Sequence, residues 1–392
     1  MLRRSRRILG TLVAAFLVAG VAAACTSFQA AEPGGPGLAA LDDWVTGRTK
    51  IWDLAFPAGG QAPLFTENDS GVIFARWSGS ERARPLGAVT QFDSTFDPTG
   101  EGGLMGIALS PGFDGSTNHR AFVCYSTTSD NRVARFDVNY AAGAFGALSN
   151  WTPIITGLPH SSIHDGCRVR FQPGTGALFV TTGDATTATG PQSTTVLAGK
   201  ILRVDQDGNP WPGNASGARW YTRGHRNPQG LAFRPGSNDP YSIEHGPDVN
   251  DEVNKLVNGA NSGWNPVNGS GGYDQSKAMT DTSIEPGKTM TPVWQSGGVT
   301  VAPSGGTFLS GVQWKNWDGA LVVACLDGSP DVGQRLLVMH LDTGGTTLAA
   351  SPVTALSRGI RLRSAVQGPD GNLYVVTDGV SGAGAIWLLT PS

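Results

Sequence analysis

A loose repeat recurs six times along the chain and limits the folds that it can adopt. Each copy has an apolar strand that ends near a proline, a glycine-containing turn and a second apolar strand that often stops at an aspartate. The six prolines lie 54 to 68 residues apart, at Pro57, Pro111, Pro173, Pro235, Pro303 and Pro369. Each interval has room for about four short strands, the size of one β-propeller blade.

The composition also favours strands over helices. The 392 residues include 55 Gly and 25 Pro, with 15% charged residues, and helical periodicity is nearly absent. We predict an all-β fold, a six-bladed β-propeller of four-stranded blades over residues 45–392. A pair of β-sandwiches is the alternative, which the regular spacing disfavours. In a propeller, loops from distant parts of the chain converge on one channel and can form one site.

The first 44 residues indicate export. Arginines at positions 3, 4, 6 and 7 precede an apolar run from Ile8 to Val21, which is short for a membrane span. The residues AlaAlaAlaCys at 22–25 resemble a bacterial lipoprotein cleavage box. We therefore predict a signal peptide over 1–24, lipidation at Cys25 and a flexible tether over 25–44. Plain secretion is the alternative, and either reading gives an exported bacterial protein, membrane-bound only through a lipid anchor.

Three cysteines follow Cys25, and none has a metal-binding spacing. In an oxidising compartment an odd number leaves one thiol over. We favour a pair between Cys124 and Cys167, which lie in strand-like runs of neighbouring repeats, with Cys325 unpaired. The net charge of −3 becomes more negative once the four leader arginines are removed, so nothing indicates nucleic-acid binding.

The densest polar stretch runs from Tyr221 to Trp264. Arg226 and Asn227 offer hydrogen-bond donors to a planar or anionic ligand. Gly246 and Pro247 can turn backbone carbonyls toward a hard cation such as Ca²⁺. An oxygen-rich cofactor together with a metal ion is the ligand set that this stretch predicts.

Two carboxylates follow directly, and a pair of arginines comes much later. Asp251 and Glu252 either orient the predicted metal loop or cap a helix-like turn at 252–256. Arg361 and Arg363 alternate along a strand, which places both on one face and indicates an anion there; a surface charge pair is the alternative. Glu101 lies in a glycine-rich turn where backbone can approach a ligand, or is a solvated turn acid.

A histidine and an aspartate bracket the third repeat. His164 precedes its first strand, and Asp184 follows its second strand. A hairpin brings these two positions together, and a carboxylate beside an imidazole fixes its tautomer. His164 is therefore the candidate base that takes a proton from a hydroxyl, although most lone loop histidines have no such role.

Several longer motifs together resemble one family. They are GGLMGIALSPGF, HDGCRVRF with TTGD, LAGKILRVD, GHRNPQGLAF, EHGPDVNDEVN with NSGW, VAPSGG, and RLRSAVQGPDGNLYVVTD. In this order, over roughly residues 45–390, the chain is similar to the quinoprotein glucose/sorbosone dehydrogenases, or aldose sugar dehydrogenases. The resemblance implies a six-bladed propeller that holds pyrroloquinoline quinone (PQQ) and Ca²⁺ at the top of the channel and oxidises a sugar.

The resemblance also implies roles for individual residues. His164 matches the catalytic base, and Asp184 matches the carboxylate that orients it. The remaining matches are Arg226, as a catalytic and cofactor contact, Asn227, His245, Arg361 and Arg363 as cofactor contacts, Gly246 and Pro247 as calcium ligands, and Glu101 and Asp165 as substrate contacts.

Three positions depart from the family pattern. Asp327 stands where a lysine commonly contacts the quinone, and an acid there is expected to repel the cofactor's carboxylates. Arg335, after an apparent insertion, is a possible substitute. Ser364 replaces the aspartate usual after the paired arginines, and Cys167 replaces a glycine or serine.

We predict an exported PQQ- and Ca²⁺-dependent dehydrogenase that oxidises an aldose or related sugar and passes electrons to an external quinone or redox protein. One alternative is a non-catalytic propeller that keeps the calcium loop and binds carbohydrate or a surface partner, which Asp327 favours. Another is a hydrolase or lyase that uses His164 and calcium without a quinone.

Overall fold

Six antiparallel sheets of four strands each make up the protein. The structure, a computed structural model, describes residues 35–36, 38–60, 62–76, 82–327, 335–353, 360–379 and 384–392. The predicted signal peptide and Cys25 lie outside these ranges. No helix in the described ranges is long and apolar enough to cross a membrane.

Each blade uses four strands in hydrogen-bonded order. The first described strand, β1 (Leu38–Arg48), belongs to the last blade. Blades 1 to 3 then follow along the chain as β2 (Ile51–Ala55), β3 (Leu64–Glu67), β4 (Val72–Arg76) and β5 (Ala83–Ala88); β6 (Leu104–Leu109), β7 (Arg120–Ser126), β8 (Asn131–Ala141) and β9 (Ala144–Leu158); and β10 (Gly166–Phe171), β11 (Leu178–Thr182), β12 (Lys200–Val204) and β13 (Trp220–Arg223).

The second half of the chain repeats the arrangement. Blades 4 to 6 comprise β14 (Pro228–Phe233), β15 (Pro240–Glu244), β16 (Glu252–Lys255) and β17 (Trp294–Gln295); β18 (Pro303–Phe308), β19 (Leu321–Cys325), β20 (Leu336–Leu341) and β21 (Thr347–Val353); and β22 (Leu362–Gln367), β23 (Leu373–Thr377) and β24 (Gly384–Pro391). Among the described residues the helical segments are two short 3₁₀ turns, Val89–Gln91 and Val312–Trp317.

The first strand of each blade lies at the centre of the ring. β2, β6, β10, β14, β18 and β22 contact one another in sequence, and β22 returns to β2. The apolar cores lie between neighbouring blades; in one of them Phe122 and Cys124 of blade 2 pack with Val169 and Val180 of blade 3. The prediction of a six-bladed, four-stranded propeller is therefore confirmed.

The N-terminal strand closes the ring. β1 pairs antiparallel with β24, so the sixth sheet has the order β1, β24, β23, β22. The expected tether over 25–44 was too long, because residues 38–44 are part of this strand. Its sequence, LAALDDWVTGR, lacks a regular alternation of apolar and polar residues, so it does not predict a strand.

The repeat prediction was wrong in register at one of its six prolines. Five prolines follow the central strand of their blade, but Pro303 is the first residue of β18. A strand tolerates proline at its first position, where the missing N–H breaks no ladder bond. The turn after β18 instead uses Ser310 and Gly311 before the second 3₁₀ segment.

The turn expected at 252–256 is also corrected. Glu252–Lys255 forms β16, paired with β15 and β17, and its Val253 is buried inside the sheet. The sequence did not reveal this strand, because an alternation over four residues is too short to distinguish from a helical turn.

The predicted disulfide is present. Cys124 of β7 and Cys167 of β10 are bonded, with Cα atoms 5.5 Å apart. The bond joins blade 2 to blade 3 three residues after His164. Cys325 is a buried free thiol.

Candidate active site

Two adjoining cavities open at one end of the central channel. Their volumes are about 480 Å³ and 280 Å³, and Glu101 and His245 line both. The central strands all run in one direction along the channel, so residues that precede them meet at the same end. The cavity walls include such residues from all six blades: Lys50, Glu101, His164, Arg226, Asn227, Ala302 and Arg361.

The β10–β11 hairpin joins His164 to Asp184 as predicted. The imidazole Nδ1 lies 2.8 Å from Asp184 Oδ1, and both side chains are buried. Asp184 therefore holds the proton on Nδ1 and leaves Nε2 as the ring's acceptor. The backbone of His164 has a left-handed φ of 66°. Gly183 permits this turn, because a Cβ there would lie 1.7 Å from the His164 carbonyl oxygen.

Glu101 connects this hairpin to blade 4. Its Oε2 accepts the backbone N–H of His164 at 2.9 Å and the side-chain amide of Asn227 at 3.1 Å. Asn227 Oδ1 in turn accepts the backbone N–H of Gly166 at 3.2 Å. Glu101 and Asn227 thus line the cleft and also brace the loop that carries His164.

Both backbone groups of Arg226, its N–H and its carbonyl, form hydrogen bonds. Its N–H donates to the buried carboxylate of Glu244, and its carbonyl accepts from Asp184 N at 2.7 Å. Its guanidinium donates to the His245 carbonyl at 3.1 Å and to Gln275. These contacts position the guanidinium beside the cleft that His164 lines.

Asp251 orients the Gly246–Pro247 loop, the first of the two expected roles. Its Oδ1 accepts Gly246 N–H at 2.9 Å, while Oδ2 accepts Val301 N–H at 2.6 Å and Ala302 N–H at 3.0 Å. Burial raises the pKa of Asp251 although these donors act against it. Gly246 and Pro247 both line the smaller cavity.

No group of three or more His, Cys, Asp or Glu side chains is arranged for a metal within the described ranges. A cation at the Gly246–Pro247 loop would therefore depend on backbone carbonyls and on oxygens of a bound ligand. Hard cations such as Ca²⁺ accept such neutral oxygen ligands together with carboxylates.

The arginine pair reaches one internal carboxylate. Arg363 Nη2 and Arg361 Nε lie 2.7 Å and 3.3 Å from Asp378 Oδ2. Burial alone would raise the pKa of Asp378, but the two guanidinium groups hold it below its ordinary value. Two arginines share one carboxylate here, which leaves an excess positive charge at this part of the larger cavity, while Lys50 on the same wall pairs with Asp69, which also lines the cavity.

Three buried nitrogens at the cleft have no hydrogen-bond partner among the described residues: Arg226 Nε, His245 Nε2 and Arg363 Nε. Burial and then the neighbouring Arg226 hold the pKa of His245 well below its ordinary value, so the ring is neutral. Unsatisfied buried donors favour a ligand that supplies acceptors. A planar molecule with several carboxylates, such as PQQ, fits this set of donors.

Two expectations about individual positions need correction or refinement. Asp165 lines neither cavity; its buried carboxylate accepts from Asn131 Nδ2 at 2.8 Å and pairs with His160 Nδ1 at 2.9 Å. Its side chain therefore faces away from the cleft that His164 lines. Asp327 follows Leu326, a cavity residue, but is not itself on the cavity wall.

Other residues at the site had not been singled out. Gln229 and Asp378 line the larger cavity, and Gln275 lines the smaller one. Gln229 lies inside the GHRNPQG motif, and Asp378 directly follows the apolar strand β23. A sequence pattern therefore marked both residues. Tyr273 and Gln275 lie in the long 256–293 connection, which has no pattern to distinguish them.

The fold and the cleft together define a six-bladed β-propeller with a histidine–carboxylate pair and three arginines at two adjoining cavities. The glucose/sorbosone dehydrogenase family model matches residues 49–388, and the chain belongs to this family.

Individual relatives agree with that assignment. The chain is 30% identical over 345 residues to the aldose sugar dehydrogenase YliI of Escherichia coli K12, covering 84% of this chain and 88% of the relative. It is 28% identical over 239 residues to quinoprotein glucose dehydrogenase B of Acinetobacter calcoaceticus, covering 51% and 47%. The PQQ-bound aldose sugar dehydrogenase of Streptomyces coelicolor superposes with a TM-score of 0.73 at 29% identity, covering 93% and 100%.

Proposed function

We propose that the protein is an exported quinoprotein that oxidises an aldose or related sugar with PQQ and Ca²⁺ and passes the electrons to an external acceptor. The observation that carries this proposal is the placement of the His164–Asp184 pair and three arginines around one pair of connected cavities. The relatives of this family that are named as aldose sugar dehydrogenases support the substrate class.

The arginine pair on the wall of the larger cavity provides the proposed cofactor site. Arg361 and Arg363, with Lys50 nearby, would hold carboxylates, and Arg226 with His245 would contact the opposite part of the molecule. Charge-assisted bonds from arginine to carboxylate are strong and directional. The carbonyls of Gly246 and Pro247 would bind Ca²⁺, with Asp251 holding their loop in place.

His164 has the properties of a general base. Asp184 retains the Nδ1 proton, so Nε2 accepts the proton of the sugar hydroxyl and the carboxylate stabilises the resulting imidazolium. The bound cofactor with its calcium would supply the two-electron acceptor that takes the hydride from the same carbon. Loss of this proton and this hydride converts the C–O single bond to C=O.

Export and lipidation at Cys25 are part of the proposal and depend on the sequence of the first 25 residues. Mass spectrometry of the protein isolated from bacterial membranes checks them. A diacylglyceryl group on Cys25 supports the anchor, and an unmodified mature N-terminus supports secretion instead.

Calorimetric titration of metal-stripped protein with PQQ, with and without Ca²⁺, tests the cofactor. Calcium-dependent binding followed by dye reduction with a panel of aldoses supports the proposal. Failure of the folded protein to bind PQQ in the presence of Ca²⁺ overturns it and makes a carbohydrate-binding propeller the better description.

The His164→Ala variant tests the base. We expect turnover to fall by a factor of about 10³ or more, because the variant lacks the imidazole that Asp184 orients, while PQQ binding is retained. His119→Ala, at a partly exposed blade 2 position paired with Asp137, is the matched control. Turnover close to wild type in His164→Ala would remove His164 from the mechanism.

A further inference from the structure

Asp184 carries more hydrogen bonds than orientation of His164 requires. Its Oδ1 accepts from Thr186 N at 2.8 Å as well as from the imidazole. Its Oδ2 accepts from Trp264 Nε1 and from the Tyr273 hydroxyl, both at 2.7 Å. Asp184 is fully buried, and these four groups are the hydrogen-bond donors to its side chain among the described residues.

Two of the four donors come from outside the hairpin. Trp264 and Tyr273 belong to the 256–293 connection between β16 and β17 of blade 4, which crosses to blade 3 at this point. The Tyr273 oxygen also lies 3.4 Å from His164 Nδ1. Desolvation and the neighbouring Asp184 raise the pKa of Tyr273, so its hydroxyl stays protonated and remains a donor.

The donors compete for the same negative charge. A carboxylate that receives more hydrogen bonds is a weaker acceptor for each of them and attracts an adjacent imidazolium less strongly. We propose that Tyr273 is a positioning residue that, through Asp184, sets how firmly His164 holds its Nδ1 proton and how readily Nε2 accepts one. The inference rests on the proposed role of His164 as the base.

Other charged groups face the imidazole without donating to the Asp184 carboxylate, although Arg226 among them also hydrogen-bonds to the Tyr273 side chain. Arg226 and His245 face the imidazole from blade 4, and Glu101 binds the His164 backbone from blade 2. Asp165 follows directly in the chain but bonds to His160. Tyr273 and Trp264 are the described side chains outside blade 3 that donate to Asp184.

The Tyr273→Phe variant removes one donor and keeps the ring. In cofactor-free ¹⁵N-labelled protein we expect the Nδ1–H proton resonance of His164 to move downfield, because the bond to Asp184 strengthens. In the loaded enzyme the acid limb of the kcat/KM profile should move toward higher pH by about half a unit. Tyr374→Phe is the matched control, since Tyr374 donates to Asp370 at 2.8 Å in blade 6.

A second variant should shift the His164 resonance in the opposite direction while it keeps the hydroxyl group of residue 273. Site-specific replacement of Tyr273 by 3-fluorotyrosine makes the hydroxyl a stronger donor, so the same resonance should move upfield. An unmoved resonance in both forms overturns the inference, whether or not the protein oxidises sugars. A moved resonance in a protein without dehydrogenase activity leaves the coupling standing and removes the proposed function instead.

Discussion

Two clusters of arginines lie one after the other along the channel, and they use their charge differently. In the central cluster, Arg168 and Arg170 of β10 share Asp53 of β2; Arg168 Nη1 lies 2.7 Å from Oδ1, and Arg170 Nη1 lies 2.6 Å from Oδ2. In the cleft cluster, Arg361 and Arg363 share Asp378. Each cluster therefore has two arginines and one carboxylate.

The central cluster is enclosed and closely bonded. Asp53 also accepts from Ile107 N at 3.2 Å and Ser364 Oγ at 3.2 Å, and Arg168 stacks on Trp52 with its Cζ 3.9 Å from the ring centroid. Burial alone would raise the pKa of Asp53, but its two arginines hold it low. These bonds join four blades at the axis.

The cleft cluster has arginine nitrogens that remain available to bind a ligand. The Arg361 side chain is 40% exposed, and a buried nitrogen of Arg363 has no partner among the described residues. The comparison shows that arginine pairs do not by themselves identify a binding site. Each cluster has one buried guanidinium nitrogen without a partner among the described residues, Arg168 Nη2 and Arg363 Nε. The greater exposure of Arg361 and its place on the wall of the larger cavity therefore distinguish the ligand site from the structural one.

The largest expected difference is in stability. Asp53→Asn leaves two arginines in the interior without their carboxylate and should lower the free energy of unfolding by about 3–5 kcal/mol. Asp378→Asn, the same change in the cleft, should cost about 1–2 kcal/mol, because water reaches Arg361. Urea unfolding midpoints of the two variants measure the difference, and equal losses would contradict the division into structural and ligand-binding clusters.

The affinity for the cofactor should depend on the cleft cluster more than on the central cluster. Arg363→Ala removes a charge-assisted donor from the cleft, so the Kd for PQQ measured by calorimetry should rise about 10- to 100-fold. Arg170→Ala in the central cluster should leave that Kd unchanged at temperatures where the variant is folded. A similar rise in both variants would mean that the central cluster also contributes to binding.

A buried carboxylate without a basic partner sharpens the contrast with Asp53. Burial raises the pKa of Glu252 to about 7. The folded state therefore holds a proton that the unfolded state releases, and stability should fall with a slope of up to about 1 kcal/mol per pH unit between roughly pH 4.5 and pH 7. This contribution is complete below that range and absent above it.

Glu252→Gln should remove this slope. The new amide can donate to Asn254 Oδ1, a buried acceptor with no partner among the described residues, once the Asn254 amide turns. Thermal unfolding of variant and wild type from pH 5 to pH 8 measures the effect, with Glu285→Gln as a more exposed control. Parallel pH profiles would show that Glu252 does not titrate in this range.

The smallest expected effect concerns Lys50, whose ion pair to Asp69 has a separation of 3.6 Å. Lys50 lies on the wall of the larger cavity at its blade 1 side. Lys50→Ala should weaken PQQ binding about threefold, as expected for a partly exposed charge, with the Kd measured by calorimetry. Lys288→Ala, at an exposed position outside the walls of both site cavities, is the control, and equal affinities for all three proteins would exclude Lys50 from the cofactor site.

The sequence predicted the features that local chemistry determines. Proline and glycine after an apolar strand mark a turn, so the six blades were found, and a hairpin of known length placed Asp184 beside His164. The disulfide followed from its two neighbouring strands. These predictions needed only short-range patterns.

Features that depend on side-chain direction or on long connections were missed. Asp165 and His164 are adjacent in sequence, but the left-handed backbone at His164 sends the two side chains to different partners. Tyr273 reaches Asp184 across 89 residues from a connection without periodicity. Pro303 fitted the repeat by its spacing, but it lies at the start of the central strand, whereas the other five prolines follow that strand.

The pairing of β1 with β24 has a consequence for how the molecule is made. The first strand of the propeller has no partner until the last one emerges from the ribosome, and sequence-distant pairings form slowly because they carry a large loop-closure cost. During synthesis the sixth blade therefore presents an open edge. Deletion of the final eight residues should expose that edge permanently and leave a ring that associates with other chains.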